Sequence, residues 1–299
     1  MIKPRCTRIG GLFASILLVA VFCGLLGQAG AQEKSFLWQL QSANSRFYIV
    51  GSIHFMKKEH YPLKKVIEDA FDNVKKLVLE IDLPDATTQK AQAVTAEKGI
   101  YRDGTTLRQN IPSDTYALAE RRAKDLGIEI KALNSFKPWV VALMLTSLKL
   151  QQLGFDPNHG IDRYLAKRAK QAGKETAGLE TLEFQVGLLD QLSKRNQEML
   201  LRQSLNEITL LDENVNQIVQ FWSRGDLTGV EKLLLKGMQQ FPELHQKVFA
   251  ERNRRWLGQI ERLIAEGLDV MVVVGAGHLV GKDGIIELLK QRGYTMEQL

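Results

Sequence analysis

After residue 31 the chain has no cysteine; its two, Cys6 and Cys23, both fall in the first 31 residues. An exported protein can use disulfides, so this absence matters. The remainder must rely on its packed core, and it can offer neither a thiolate nucleophile nor a cysteine metal site. Other things are missing as well. No basic tract is interleaved with aromatics, and no RNP-like motif occurs, which argues against nucleic acid as a partner. No 20–50-residue repeat and no low-complexity segment is found, which excludes solenoids and arrays.

The first 31 residues read as a targeting leader. Lys3, Arg5 and Arg8 form a basic start, Ile9 to Leu26 is apolar, and Ala29-Gly30-Ala31 is an A-x-A cleavage signal. Cleavage is expected before Gln32, which would deliver the chain to the periplasm or the outside. An uncleaved membrane anchor is the alternative, because the apolar run is just long enough to span a bilayer. Phe22 before Cys23 argues against lipoprotein processing. The leader holds three basic residues and no acidic one, so the formal charge drops from +6 to +3 without it. The membrane enters only through this leader.

Gln32–Leu299 is long enough for one large domain or two small ones and can bury a substantial core. The pattern predicts an α/β fold, a central mixed sheet flanked by helices. Phe36–Gln41 and Ser45–Ile53 read as a hairpin around Ser42-Ala43-Asn44. Further strands are expected at Lys76–Ile81 (KLVLEI), Ile128–Leu133 (IEIKAL), Lys174–Leu179 (KETAGL) and Val270–Gly275. Helices are expected over Leu63–Lys76, Pro84–Lys98, Thr115–Asp125, Pro138–Leu153, Asp162–Ala172 and Asp283–Arg292. Residues from about 185 to 267 read as a helical subdomain inserted before the last strand, with one long helix from Pro242 to Gly267.

Two segments echo each other. RFYIVGSIH and VMVVVGAGH are both β-branched runs that pass through glycine to a histidine. They give strand–Gly-x-x-His twice, ending at His54 and His278. In an α/β sheet, ligands gather outside the carboxyl ends of the strands. Glu80 and Glu180 also fall at predicted strand ends, so four polar groups are candidates for one site. Two imidazoles with one or two carboxylates suit Zn, Mn, Co or Fe, and such a metal lowers the pKa of a bound water. His54, His278 and Glu80 are the candidate ligands. Glu80, Glu180 and Arg252 are the candidate catalytic groups, Arg252 as a fixed donor to a carboxylate or an oxyanion. Gly51 and Gly275 are read as turn residues, and Gly277 as room for a ligand beside His278.

Each has a plainer reading. A strand-end histidine is more often simply hydrogen-bonded, Glu180 can cap the next helix, and Arg252 sits in a charged helix. Glu80 is different, because a carboxylate in an apolar strand must be paired or ligated. His60 and His245 read as solvated and His159 as a turn residue. Asp162 reads as a first-turn residue favoured by the helix dipole. Val140–Leu150 reads as core.

Taken in order, FLWQLQSANSRFYIVGSIHF, YPL, VLEIDL, GIDRYLAKRAKQAGK with GLET, ERNRRW and VVVGAGHLVGKDGIIELLKQRGY resemble the TraB/PrgY/GumN family. Animal Tiki proteases belong to the same wider group. The resemblance runs from about Phe36 to Tyr294 and is thin from about Gln185 to Gln240. It implies an α/β fold related to erythromycin esterase-like and ChaN-like proteins. It also implies a site built on two Gly-x-x-His motifs, a glutamate and an arginine, which fall on His54, His278, Glu80 and Arg252. The expected activity is an exported, metal-dependent hydrolase of peptide or amide bonds. The alternative is a binding protein without turnover that sequesters a peptide or haem.

Overall fold

The structure, a computed structural model, describes residues 34–41, 45–82, 88–236, 238 and 241–299. The leader, the hairpin turn at 42–44 and the start of the helix expected at Pro84 lie outside the described residues. Among those described, no helix is long and apolar enough to cross a membrane.

Strands β1 (Leu37–Leu40) and β2 (Phe47–Ser52) pair antiparallel, as the hairpin pattern predicts. Then come α1 (Lys65–Asp72), β3 (Lys76–Ile81) and α2 (Thr88–Gly99). Helices α3 (Leu107–Asn110), α4 (Ser113–Asp125), α5 (Pro138–Gln152) and α6 (Ile161–Gln171) lead to β4 (Glu175–Glu180). Helices α7 (Leu182–Asp190), α8 (Lys194–Glu207), α9 (Leu211–Ser223), α10 (Leu227–Lys236), α11 (Pro242–His245) and α12 (Glu251–Ala265) follow. The chain closes with β5 (Val270–Gly275), α13 (Ile285–Gln291) and β6 (Met296–Gln298).

One mixed six-stranded sheet runs in the order β4-β3-β5-β2-β1-β6. Its four strands β4, β3, β5 and β2 are mutually parallel. A parallel strand covered by helices on both faces needs apolar residues throughout, not in alternation. β5 and β2 meet that need: all six residues of each are buried. Because the four strands are parallel, their carboxyl ends share one edge.

Two large apolar clusters hold most of the helices, and a small third one gathers Leu192, Phe241 and Leu244. The largest packs α1, α6, α9, α12 and α13 on the sheet, around Phe71, Leu165, Trp222, Trp256, Ile260 and Leu289. The second lies among α3, α4, α5 and α8, around Leu107, Ala119, Leu145, Leu201 and Leu205. The stripe from Val140 to Leu150 is core only in part: Val140, Val141, Ala142, Leu145 and Leu150 are buried, whereas Leu143 and Met144 are exposed.

Three expectations change. IEIKAL is not a strand. Ile130–Leu133 is a 3-10 turn that buries Ile130 and Leu133, three apart, which suits three residues per turn. β5 is not the last strand, because β6 adds to the sheet edge beside β1. The long helix expected from Pro242 is continuous but carries a π segment at Gln246–Ala250 between α11 and α12.

Candidate functional site

All four predicted strand-end groups come to the shared edge. β2 delivers Ser52 and His54, β3 delivers Glu80, β4 ends on Glu180, and β5 runs through Gly275 to His278. Arg252 arrives from the side. The buried residues of α12 are Arg252, Asn253, Trp256, Leu257 and Ile260, a helical stripe whose first turn carries polar side chains onto the strand ends.

Arg252 is the hub. It is 6% exposed, and all five of its N–H groups have partners. Nε donates to Glu180, Nη2 donates to Glu180 Oε1 and Glu80 Oε2, each at 2.6 Å, and Nη1 donates to the Val248 carbonyl and to His278 Nε2, each at 3.0 Å. The guanidinium also lies over the Trp256 ring, 4.5 Å from its centroid. Glu180 is filled in the same way, since Trp256 Nε1 donates to its Oε2 at 3.1 Å. The expected role of Arg252 as a donor to a substrate therefore has no N–H left for it in this arrangement.

His278 is enclosed. Arg252 can only donate, so Nε2 is the acceptor and the ring proton sits on Nδ1. Nδ1–H donates to Asn253 Oδ1 at 2.6 Å. Asn253 is fixed in turn by its Nδ2, which donates to the Asp283 carbonyl at 2.7 Å. Burial holds the imidazole neutral, down to about 3; Glu80 opposes this, while Arg252 and His54 reinforce it. Gly277 does not make room for a ligand: a Cβ there would come within 2.8 Å of the Phe249 ring.

His54 is the open counterpart, with its side chain 55% exposed. Its Nδ1 bonds Asp162 Oδ1 at 3.1 Å, which leaves Nε2 facing the site. Two loops bring Asp162 there. Met56 pairs with Asp156, and Ile161 N–H donates to the Ile53 carbonyl at 3.0 Å. At Gly160 a Cβ would come within 2.4 Å of the His54 carbonyl oxygen, so glycine is what lets the segments touch. Desolvation pulls His54 down, but the charge and hydrogen bond of Asp162, with Glu80 behind them, carry it up to about 9.

Glu80 joins the two histidines. Gly275 N–H donates to its Oε1 at 2.7 Å, and Gln185 Nε2 donates to its Oε2 at 2.9 Å. Burial pushes its carboxyl up, and His278, Arg252, His54 and the Gly275 N–H outweigh that to hold it at about 2. Because His278 stays neutral, Arg252, the protonated His54 and the Gly275 amide do this work at neutral pH.

Gly275 marks the centre. A Cβ built there would lie 3.3 Å from Glu80 Oε1, 3.4 Å from His54 Nε2 and 3.6 Å from His278 Cδ2. This small open point lies beside a hollow of about 300 Å³. Ser52, His54, Leu79, Glu80, Asp162 and Gln185 are among the hollow's lining residues.

The same distances test the expected metal set of His54, Glu80 and His278. Both ring nitrogens of His278 are used, Glu180 is filled by Arg252 and Trp256, and Glu80 Oε2 already accepts two donors. Two donors, His54 Nε2 and Glu80 Oε1, face the open point, one fewer than the usual three protein ligands of a catalytic metal. Among the described residues no three His, Cys, Asp or Glu side chains are grouped to hold a metal ion. As arranged, Arg252 supplies the positive charge between the carboxylates, and the set does not fit a three-ligand metal.

The TraB/PrgY/gumN family profile matches residues 36–298. The chain belongs to this family. Among curated proteins, it is 25% identical to the uncharacterised protein YbaP of Escherichia coli K12, over 83% of this chain and 89% of that one. It is 24% identical to the metalloprotease TIKI2 of Xenopus tropicalis, over 98% of this chain and 66% of the other. It is also 24% identical to the metalloprotease TIKI1 of Homo sapiens, over 89% and 62%. No solved structure matches it significantly.

The four residues that the family resemblance implied, His54, Glu80, Arg252 and His278, converge here. Glu180 joins them through Arg252. Asp162, Asn253, Gln185 and Ser52 were not singled out by sequence. Asp162 stands in the first turn of α6, where an acidic residue needs no further reason, and nothing local ties it to His54.

Proposed function

We propose that this protein is an exported hydrolase of peptide or amide bonds. One observation carries the reading. His54 Nε2 and Glu80 Oε1 face a single open point at the carboxyl edge of the parallel strands, beside a hollow large enough for substrate. Two polar groups at one point suit hydrolysis: Glu80 takes a proton from water, and His54 gives one to the departing amine. Asp162 orients His54. Arg252, Glu180 and Asn253 hold Glu80 and His278 in place and exclude water from behind the site.

The named activity of the Tiki relatives supports hydrolysis and brings a divalent metal, Mn, Co, Zn or Fe, as an expectation. The steps above are written without it, since the donors as arranged lack a third ligand. The kinship with erythromycin esterase-like and ChaN-like proteins rests on the family resemblance, and export rests on the leader.

The test is a peptide-cleavage screen of Gln32–Leu299 beside Glu80→Gln, with and without added divalent metals. The expected result is turnover by the parent, loss of at least about 100-fold in the variant, and the same folded circular-dichroism spectrum for both. Cleavage by Glu80→Gln at the parent rate overturns the role of Glu80. No cleavage by the parent under any metal condition, together with haem or peptide binding that His54→Ala abolishes, replaces this reading with that of a binding protein.

A further inference from the structure

We propose that the Ser52 hydroxyl holds the attacking water in this site, together with Glu80 and His54. The inference rests on the hydrolase reading and adds a residue that neither the family motifs nor the ion-pair cluster assigns.

Ser52 is 3% exposed, and its Oγ has no hydrogen-bond partner. A buried hydroxyl without a partner is rare and asks for an explanation. The sheet register supplies one. Ser52 pairs with Gly275 across the parallel strands β2 and β5. Paired residues on neighbouring strands direct their side chains to the same face, at a strand spacing of about 4.8 Å. The Ser52 side chain therefore stands beside the position of the absent Gly275 Cβ. That position is 3.3 Å from Glu80 Oε1 and 3.4 Å from His54 Nε2. Ser52, Glu80 and His54 also line the same hollow.

The groups are complementary. A buried water is held by two to four polar partners in a polar space that admits it. Glu80 Oε1 accepts one of its protons. The Ser52 hydroxyl can donate and accept, so it can turn to meet whatever lone pair or proton remains. His54 Nε2 closes the third side. Any side chain at position 275 would fill this space, and glycine leaves it free.

The step balances as an amide hydrolysis. The water oxygen bonds to the carbonyl carbon while its proton passes to Glu80 Oε1. The C–N bond then breaks, and its electron pair goes to nitrogen, which takes a proton from His54 Nε2. The products are one carboxylic acid and one amine. Ser52 forms no covalent bond and acts by fixing the water oxygen for in-line approach.

The experiment pairs a crystal structure of the ligand-free parent with kinetics of Ser52→Ala and Ser52→Thr on whichever peptide the parent cleaves. The crystal is expected to contain a water within hydrogen-bond distance of both Ser52 Oγ and Glu80 Oε1. Ser52→Ala is expected to lower kcat by roughly 10- to 100-fold, the scale of a misplaced reactant, with KM within about twofold. Its melting temperature should change little, because the hydroxyl's partner is a water and no protein group loses a hydrogen bond. Ser52→Thr keeps the hydroxyl and should recover most of the lost kcat. A merely structural serine would change melting temperature without this kcat pattern. A parent that cleaves peptides while Ser52→Ala keeps its kcat overturns the inference and leaves the hydrolase reading standing. A dry Ser52, or an acyl adduct on Ser52 by mass spectrometry, overturns it as well. A parent that cleaves nothing overturns the hydrolase reading, and with it any attack from this position.

Discussion

The two Gly-x-x-His units begin alike and end differently. Each is a buried parallel strand that passes through glycine to an imidazole at the same sheet edge. His54 emerges into a hollow with one nitrogen on Asp162 and the other facing open space. His278 turns inward, and its two nitrogens are taken by Arg252 and Asn253. The surroundings shift them oppositely, His54 up to about 9 and His278 down to about 3. A repeated motif thus supplies one histidine with a free nitrogen and one that acts as a strut. The strut belongs to a buried ion-pair cluster, where removal of one partner leaves an uncompensated charge.

That contrast predicts different failures for the two units. The largest effect should come from the cluster around His278. Glu180→Gln leaves Arg252 with one fewer buried countercharge and should cost about 3–5 kcal/mol of unfolding free energy, read by urea denaturation. His278→Ala should cost about 3 kcal/mol, through a cavity and an unpaired Arg252 N–H. His54→Ala should cost less than about 1 kcal/mol, because its side chain is half exposed, yet lower kcat by at least about 100-fold. Equal stability losses in His54→Ala and His278→Ala would erase the comparison.

The glycines sharpen it at a smaller scale. At Gly51 a Cβ would come 2.4 Å from the Phe36 ring, and at Gly277 2.8 Å from the Phe249 ring. Gly51→Ala and Gly277→Ala should each cost about 1–3 kcal/mol by overpacking. At Gly275 the nearest atoms are 3.3 Å or more away, so Gly275→Ala should change stability by less than about 1 kcal/mol while it blocks the open point and lowers kcat. Denaturation curves and turnover measured on the three variants separate packing glycines from the one that keeps space.

The smallest effect concerns metal. Arg252 already pairs with both Glu80 and Glu180, so folding should not depend on a bound ion. Chelation with EDTA is expected to move the melting temperature of Gln32–Leu299 by less than about 2 °C. A larger fall would mean that a metal takes over charge that Arg252 carries here.

Much of this could be read in the chain. Strands that are buried on both faces leave a plain mark, and β2 and β5 were legible as β-branched runs stopped by glycine. Glu80 was legible because a carboxylate among Leu77, Val78 and Leu79 has no cheap alternative to a partner. Other features leave weaker marks. IEIKAL has strand composition, but Ile130 and Leu133 are three apart and bury on one side of a turn. β6, MEQ, has neither length nor alternation. The role of Asp162 depends on two distant loops meeting at Gly160. The glycines were expected for turning and space, whereas two of the three serve close packing, which depends on the tertiary neighbours Phe36 and Phe249. The mutual saturation of Arg252 and Glu180 is a property of three dimensions alone.

The place of β5 also bears on how the molecule comes into being. It is the fifth strand in the chain, yet it lies between β3 and β2. Until residues 270–275 exist, the earlier strands have two half-sheets with nothing to join them. Contacts so distant in sequence form slowly, and unpaired strand edges are hazards for aggregation in the interval. The same late strand brings Gly275, whose amide anchors Glu80, and leads to His278, whose imidazole meets Arg252. Assembly of the site and closure of the sheet are therefore one event. A chain caught partway through synthesis holds none of the finished geometry, so any chemistry the site performs is deferred until the molecule is whole.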